Sequence, residues 1–147
     1  MHGGRFNPRG MPALYTSLRV ETAWLEAQQA FPFKTQPMTL VSYDVDCDQI
    51  LDFTLSNGMA DLGITPSDLG CPWEDMVDRG LDPPTWDLTR RLFNAGHAGL
   101  IVPSFATGAT AADSNVVFWR WGKSAPHQVK AVDDYHRLPS DDASWRT

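Results

Sequence analysis

The stretch GGRFNPRGMPALYTSLRVETAWLEA, Gly3 to Ala27, decides how this chain is read. Its first ten residues are punctuated by glycine and proline, which reads as a loop over residues 3–12, followed by a short strand over Ala13–Thr16. Ser17 is suited to cap a helix over Leu18–Phe31, with Val20, Ala23, Trp24, Ala27 and Phe31 spaced on one face and Pro32 as the stop. Arg5 and Arg9 sit in a loop whose backbone can approach a ligand closely, and a guanidinium offers planar paired donors to phosphate or carboxylate. Tyr15 leaves that loop on the strand. Glu21 and Glu26 flank the apolar face of the helix, each about 110° from its centre, so helix geometry does not choose between them.

Outward from this stretch the pattern alternates between strands and helices. MTLVSYDVD, Met38 to Asp46, alternates as a strand should, and Ile50–Phe53 continues it after a turn. Short helical pieces are expected near Leu55–Leu62 and Trp73–Arg79, separated by TPSDLG and RGLDPP. A stronger helix spans Thr85–Ala95, closed by Gly96. The strand GLIV follows, then the loop PSFATGATAADS, the β-rich run NVVFWRW, a last strand near Gln128–Val132 and an irregular tail. With no internal repeat, this predicts a single α/β (α+β) domain over residues 1–147.

Composition narrows the function classes. The chain of 147 residues has room for one core, and its net charge of −6 gives no general attraction to nucleic acid. Its longest apolar run, Gly99–Pro103, is far short of the roughly 20 residues a membrane helix needs, and the polar start HGGRFNPRG has no apolar leader region. A soluble, cytoplasmic protein is expected. Cys47 and Cys71, the two cysteines, show no CxxC spacing and read as reduced thiols; His2, His97, His127 and His136 are scattered singly and point to no metal site. The six tryptophans are expected in the core or at an interface rather than as base-stacking platforms, which makes a homo-oligomer plausible.

Known motifs exclude some chemistries. The Gly3–Gly4 pair belongs to neither a P-loop nor a GxGxxG turn. Ser104 follows an apolar strand and Pro103, at a strand end where ligands often meet α/β sheets, but it lies in no GxSxG elbow. Asn115 opens the next strand and is either a turn residue or a ligand contact.

GGRFNPRGMPALYTS, the helix ETAWLEA, and then GLIVPS and SNVVFWRW in that order resemble the RES-domain toxin family of bacterial toxin–antitoxin systems. Its members read GGRWNPxGxPxLYxS, then ETAxxE, then GxLVPSA followed by NLVLF. The family is named for an Arg, a Glu and a Ser, which match Arg5, Glu26 and Ser104 here, with Tyr15 in the LYTS match. The match, not helix geometry, favours Glu26 over Glu21.

The resemblance implies a fold similar to the ADP-ribosyltransferase toxins, NAD⁺ as substrate and no metal. It implies cleavage at the nicotinamide–ribose bond by an NAD⁺ glycohydrolase, phosphorylase or mono-ADP-ribosyltransferase, with an Xre-like antitoxin as partner and, for a transferase, a protein target. Glu26 and Ser104 are then the catalytic candidates, with Arg5, Tyr15, Arg9 and Asn115 as NAD⁺-binding candidates. Members usually carry a further strand with another arginine ahead of GGR, whereas this sequence starts two residues before that block. That departure supports the alternative of a non-catalytic NAD-pocket protein that serves as the antitoxin's binding partner. Asn57 to Pro84 matches no family motif and is expected to shape target choice.

Overall fold

The computed structural model describes residues 2–30, 38–55 and 58–139. Eleven elements follow one another among them. They are β1 (Leu14–Ser17), α1 (Val20–Ala30), β2 (Tyr43–Cys47), β3 (Ile50–Asp52), a 3₁₀ turn (Ala60–Leu62), α2 (Pro66–Leu69), α3 (Trp73–Asp78), α4 (Pro84–Asn94), β4 (Gly99–Pro103), β5 (Ser114–Phe118) and β6 (His127–Ala131). The main sheet runs β1-β5-β4-β3, and β2 pairs with β6 in a separate two-stranded sheet. β3 and β4 are parallel, joined through the helical segment between them, while β1–β5 and β4–β5 are antiparallel. The expected mixed α/β architecture is what forms.

The central strands are buried on both sides, and alternation sorts their side chains. Leu100, Val102 and Val117 face one cluster with Phe6, Phe53, Leu69, Leu88, Leu92 and Trp119. Val116 and Phe118 face the other way, against Val129 of β6, with Leu14, Cys47, Ile50 and Ile101 at its edge. α4 closes the first cluster by burying Thr85, Trp86, Leu88, Thr89 and Leu92. A fully buried leucine contributes roughly 1.5–3 kcal/mol, so this helix is fixed mainly by its apolar stripe.

Several expectations shift. α1 begins at Val20, and Ser17 is the last residue of β1 with its hydroxyl turned to Asn115, so it is no helix cap. The apolar face proposed for α1 does not pack inward: Val20 is 60% and Trp24 53% exposed, whereas Thr22 is fully buried. Hydrogen bonding at Thr22, described below, outweighs the pattern there. The strand expected from Met38 starts only at Tyr43, because β6 supplies ladder partners from Tyr43 to Cys47. TPSDLG, read as a separator, holds the one-turn helix α2, whose start is a capping box between Thr65 and Asp68. The end of α1 at Phe31 and Pro32, part of the piece at Leu55–Leu62 and the tail from Ser140 lie outside the described residues. Cys47 and Cys71 are free thiols, and no helix among the described residues is long and apolar enough to cross a membrane.

Candidate functional site

The loop at the start of the chain is held by side chains from far along the sequence. Thr85 of α4 donates to the Arg5 carbonyl, Trp86 Nε1 to the Gly4 carbonyl at 2.7 Å, and Thr89 to the Phe6 carbonyl at 3.0 Å. Trp119, just past β5, also donates to the Phe6 carbonyl, at 2.9 Å. Each such bond is worth only about 1 kcal/mol net, but together they satisfy buried carbonyls that would otherwise be costly. The loop therefore behaves as part of the core. Trp86 and Trp119 owe their burial to this function as much as to packing.

Within the loop, the Phe6 amide donates to the Tyr15 hydroxyl at 3.0 Å, and that hydroxyl donates to Asn7 Oδ1 at 2.5 Å. Asn7 Nδ2 donates in turn to the Met11 carbonyl at 2.9 Å. Gly4 has no Cβ because one there would stand 2.6 Å from Asn7 Oδ1 and 2.7 Å from the Tyr15 hydroxyl. Tyr15 is 46% exposed, yet its hydroxyl is the sheltered end: burial pushes the phenol up to about 12, opposed by the Phe6 amide and by Arg5.

Glu26 lies at the centre of the polar cluster. Ser104 Oγ donates to Glu26 Oε1 at 2.6 Å, and Asn115 Nδ2 donates to the same oxygen at 2.5 Å. Ser17 Oγ donates to Asn115 Oδ1 at 2.7 Å, which turns the Asn115 amide so that its NH₂ faces the carboxylate. The register explains the meeting: Ser17, Asn115 and Val102 are paired across three strands, and Ser104 lies two residues past Val102, on the same face. Among the described residues, no hydrogen bond ends on Glu26 Oε2.

Arg5 stands beside this cluster. Its Nη1 donates to the Leu69 carbonyl at 3.0 Å and to the Cys71 carbonyl at 2.6 Å. Burial pushes the guanidinium below its ordinary range, opposed by the charges of Cys71 and then of Glu26. The turn at Leu69–Cys71, inside the segment that matched no motif, thus reaches the site.

Further back, a clamp ties α1 to the loop between Ser104 and Asn115. Thr22 donates to Asp113 Oδ1 at 2.6 Å, and the Thr110 amide donates to Oδ2 at 2.9 Å. These two bonds, Thr22's first, hold the Asp113 carboxylate below its usual range. Thr22 is one turn before Glu26, so the clamp sets the height from which Glu26 reaches the sheet.

The structure therefore brings together Glu26, Ser104 and Asn115, with Arg5 and Tyr15 alongside. Arg9 is exposed at the turn of the loop, apart from these contacts. Glu21 points outward, 70% exposed, 3.5 Å from Arg19. Thr22, Asp113 and Phe105 are not among the residues that the sequence offers for a site, and Ser17 is read there only as a helix cap. Only Ser17 left a signal, the two-residue alternation that puts it on the face of Tyr15. A shallow groove of about 510 Å³ lies at the other end of β5, lined by Pro12, Trp119, Arg120, Trp121 and their neighbours; it contains none of the Glu26 cluster. The convergent polar groups, not the larger hollow, mark the candidate site. Among the described residues, no cluster of three or more His, Cys, Asp and Glu is placed to hold a metal ion.

A mixed α/β domain with one carboxylate fixed by a serine and an asparagine beside a sheltered arginine defines a compact polar site rather than a deep apolar pocket. The RES domain family model matches residues 1–141, and the chain belongs to that family. RES domains are associated with NAD-acting toxins of toxin–antitoxin systems. No curated protein and no solved structure matches the chain.

Proposed function

We propose that this chain is the toxin of a cytoplasmic toxin–antitoxin pair and cleaves NAD⁺ between nicotinamide and ribose. The observation that carries this reading is the Glu26 carboxylate, with Oε1 held by Ser104 and Asn115 and with Arg5 alongside. Nicotinamide leaves with the bonding pair, and positive charge builds on the ribose as in glycoside cleavage. A fixed carboxylate that accepts bonds from the ribose hydroxyls stabilises that charge without reorganising. Ser104 and Asn115 leave Oε2 of Glu26 to the substrate. Arg5 has Nε and Nη2 for the pyrophosphate, since its bonds among the described residues use Nη1. The hydroxyl of Tyr15 is committed to the loop, so its role is to offer the ring to the ribose end. Arg9 is a secondary phosphate contact.

An antitoxin partner is supported by the outer side of α1, where Val20 and Trp24 stay exposed next to Leu18, which precedes the helix, on the segment that carries Glu26. The same observation favours a second reading, in which the chain binds nucleotide and antitoxin without turnover. Incubation with NAD⁺, following nicotinamide release for wild type and Glu26→Gln, tests the first; unchanged release in the variant refutes the assignment of Glu26. Calorimetry with NAD⁺ separates the two readings, since binding without release leaves only the second. Mass spectrometry of products formed in phosphate buffer, with and without cell extract, identifies whether water, phosphate or a protein takes up the ADP-ribose unit.

A further inference from the structure

Phe105 follows Ser104 directly, yet it belongs to neither hydrophobic cluster and remains 37% exposed. Its backbone is pinned on both sides. Ser104 Oγ bonds Glu26, and the Ala106 amide donates back to Ser104 Oγ at 3.2 Å, with Ala106 itself buried. The ring is pinned as well. The Arg5 guanidinium carbon lies 5.2 Å from its centroid, and a Cβ at Gly70 would stand 3.2 Å from Phe105 Cδ1 and Cε1. Gly70 lies between Leu69 and Cys71, whose carbonyls hold Arg5. The 69–71 turn, Arg5 and Phe105 are therefore one packed unit on the border of the Glu26 cluster.

What singles out this ring among the exposed apolar side chains is its place: it is fixed by its neighbours at the border of the Glu26 cluster, with part of its surface open to a flat ligand group. We infer that Phe105, backed by Arg5 and Gly70, forms a stacking subsite for the aromatic base nearest the scissile ribose bond, the nicotinamide ring. This rests on the NAD⁺ reading above. The choice of end follows from the chain: Phe105 is one residue from the serine that holds Glu26, so a ring attached to the ribose at Glu26 is nearer to it than the base beyond the pyrophosphate. The residue before Phe105 holds the catalytic carboxylate while Phe105 itself takes the leaving group.

The test is calorimetry on wild type, Phe105→Leu, Phe105→Tyr and Gly70→Ala with two fragments, nicotinamide mononucleotide and ADP-ribose, together with NAD⁺ cleavage kinetics. Stacking on one aromatic side chain predicts that Phe105→Leu weakens nicotinamide mononucleotide about tenfold while ADP-ribose changes by less than about twofold. Phe105→Tyr, which keeps the π face, loses less than Phe105→Leu. Gly70→Ala, which presses on the ring edge, weakens the same fragment by a smaller factor. The KM for NAD⁺ rises in parallel with these losses. Wild-type affinity for nicotinamide mononucleotide in Phe105→Leu, or an equal loss for both fragments, overturns the subsite while leaving NAD⁺ cleavage standing. If wild type neither binds nor cleaves NAD⁺, the functional reading fails and the subsite with it.

Discussion

α1 and α4 are both eleven residues long, but they use their faces in opposite ways. α4 turns Trp86, Leu88 and Leu92 into the core and donates from Thr85, Trp86 and Thr89 to the backbone of the opening loop. α1 turns Thr22 and Glu26 inward and leaves Val20 and Trp24 in solvent. One helix is held mainly by burial; the other is held by polar bonds and carries the carboxylate. The scaffold and the candidate site thus draw on different helices, and a hydrophobic pattern reads only the first correctly.

That division can be broken from either side. The largest effect is expected in the scaffold: Leu92→Ala should cost about 2–5 kcal/mol, read as a lower denaturant midpoint, because it opens a cavity between α4 and β4. On the other helix, Glu26→Gln should lower nicotinamide release by about 10²–10³-fold with an unchanged midpoint, since the amide oxygen still accepts from Ser104 and Asn115. A large loss of stability in Glu26→Gln would erase the contrast between the helices. Smaller than both is Thr85→Val, which leaves the Arg5 carbonyl without its donor. It should cost about 1–3 kcal/mol and raise the KM for NAD⁺ as Arg5 loosens.

The opening loop itself can be probed by pH. The folded chain keeps the Tyr15 phenol neutral to about 12, whereas an unfolded tyrosine ionises near 10.0. The stabilisation from this hydroxyl is complete below pH 10 and declines as pH rises towards 12. Tyr15→Phe should start less stable and show a shallower decline across that window in urea titrations at fixed pH. The smallest effect is expected on the outer side of α1, where Trp24→Ser should change stability by no more than about 0.5 kcal/mol. A loss of several times that figure would mean that this face packs in the free protein.

Legibility in the sequence followed the strength of local pattern. The continuous apolar runs of β4 and β5 and the apolar stripe of α4 were readable because burial repeats at the period of the element. α1 was misread because its pattern was apolar outward and polar inward, and nothing local distinguishes a serviced polar residue from a solvated one. β2 is shorter than its pattern because alternation begins at Met38, before Tyr43, the first residue that has a ladder partner. The turn at Leu69–Cys71 could not be placed at all, since its contribution is two backbone carbonyls, which carry no residue identity.

By itself the sequence determined the mixed α/β class, the family, and the ordered motifs that single out Arg5, Glu26 and Ser104. Only the tertiary structure decided that Glu26 is the inward glutamate, that Asn115 is oriented by Ser17, and that Asp113, Gly70 and Phe105 border the same site. The physical reason is range. Propensity and periodicity act over a few residues, whereas Ser104 and Asn115 lie 78 and 89 positions from Glu26 and meet it only through strand register and the clamp on α1.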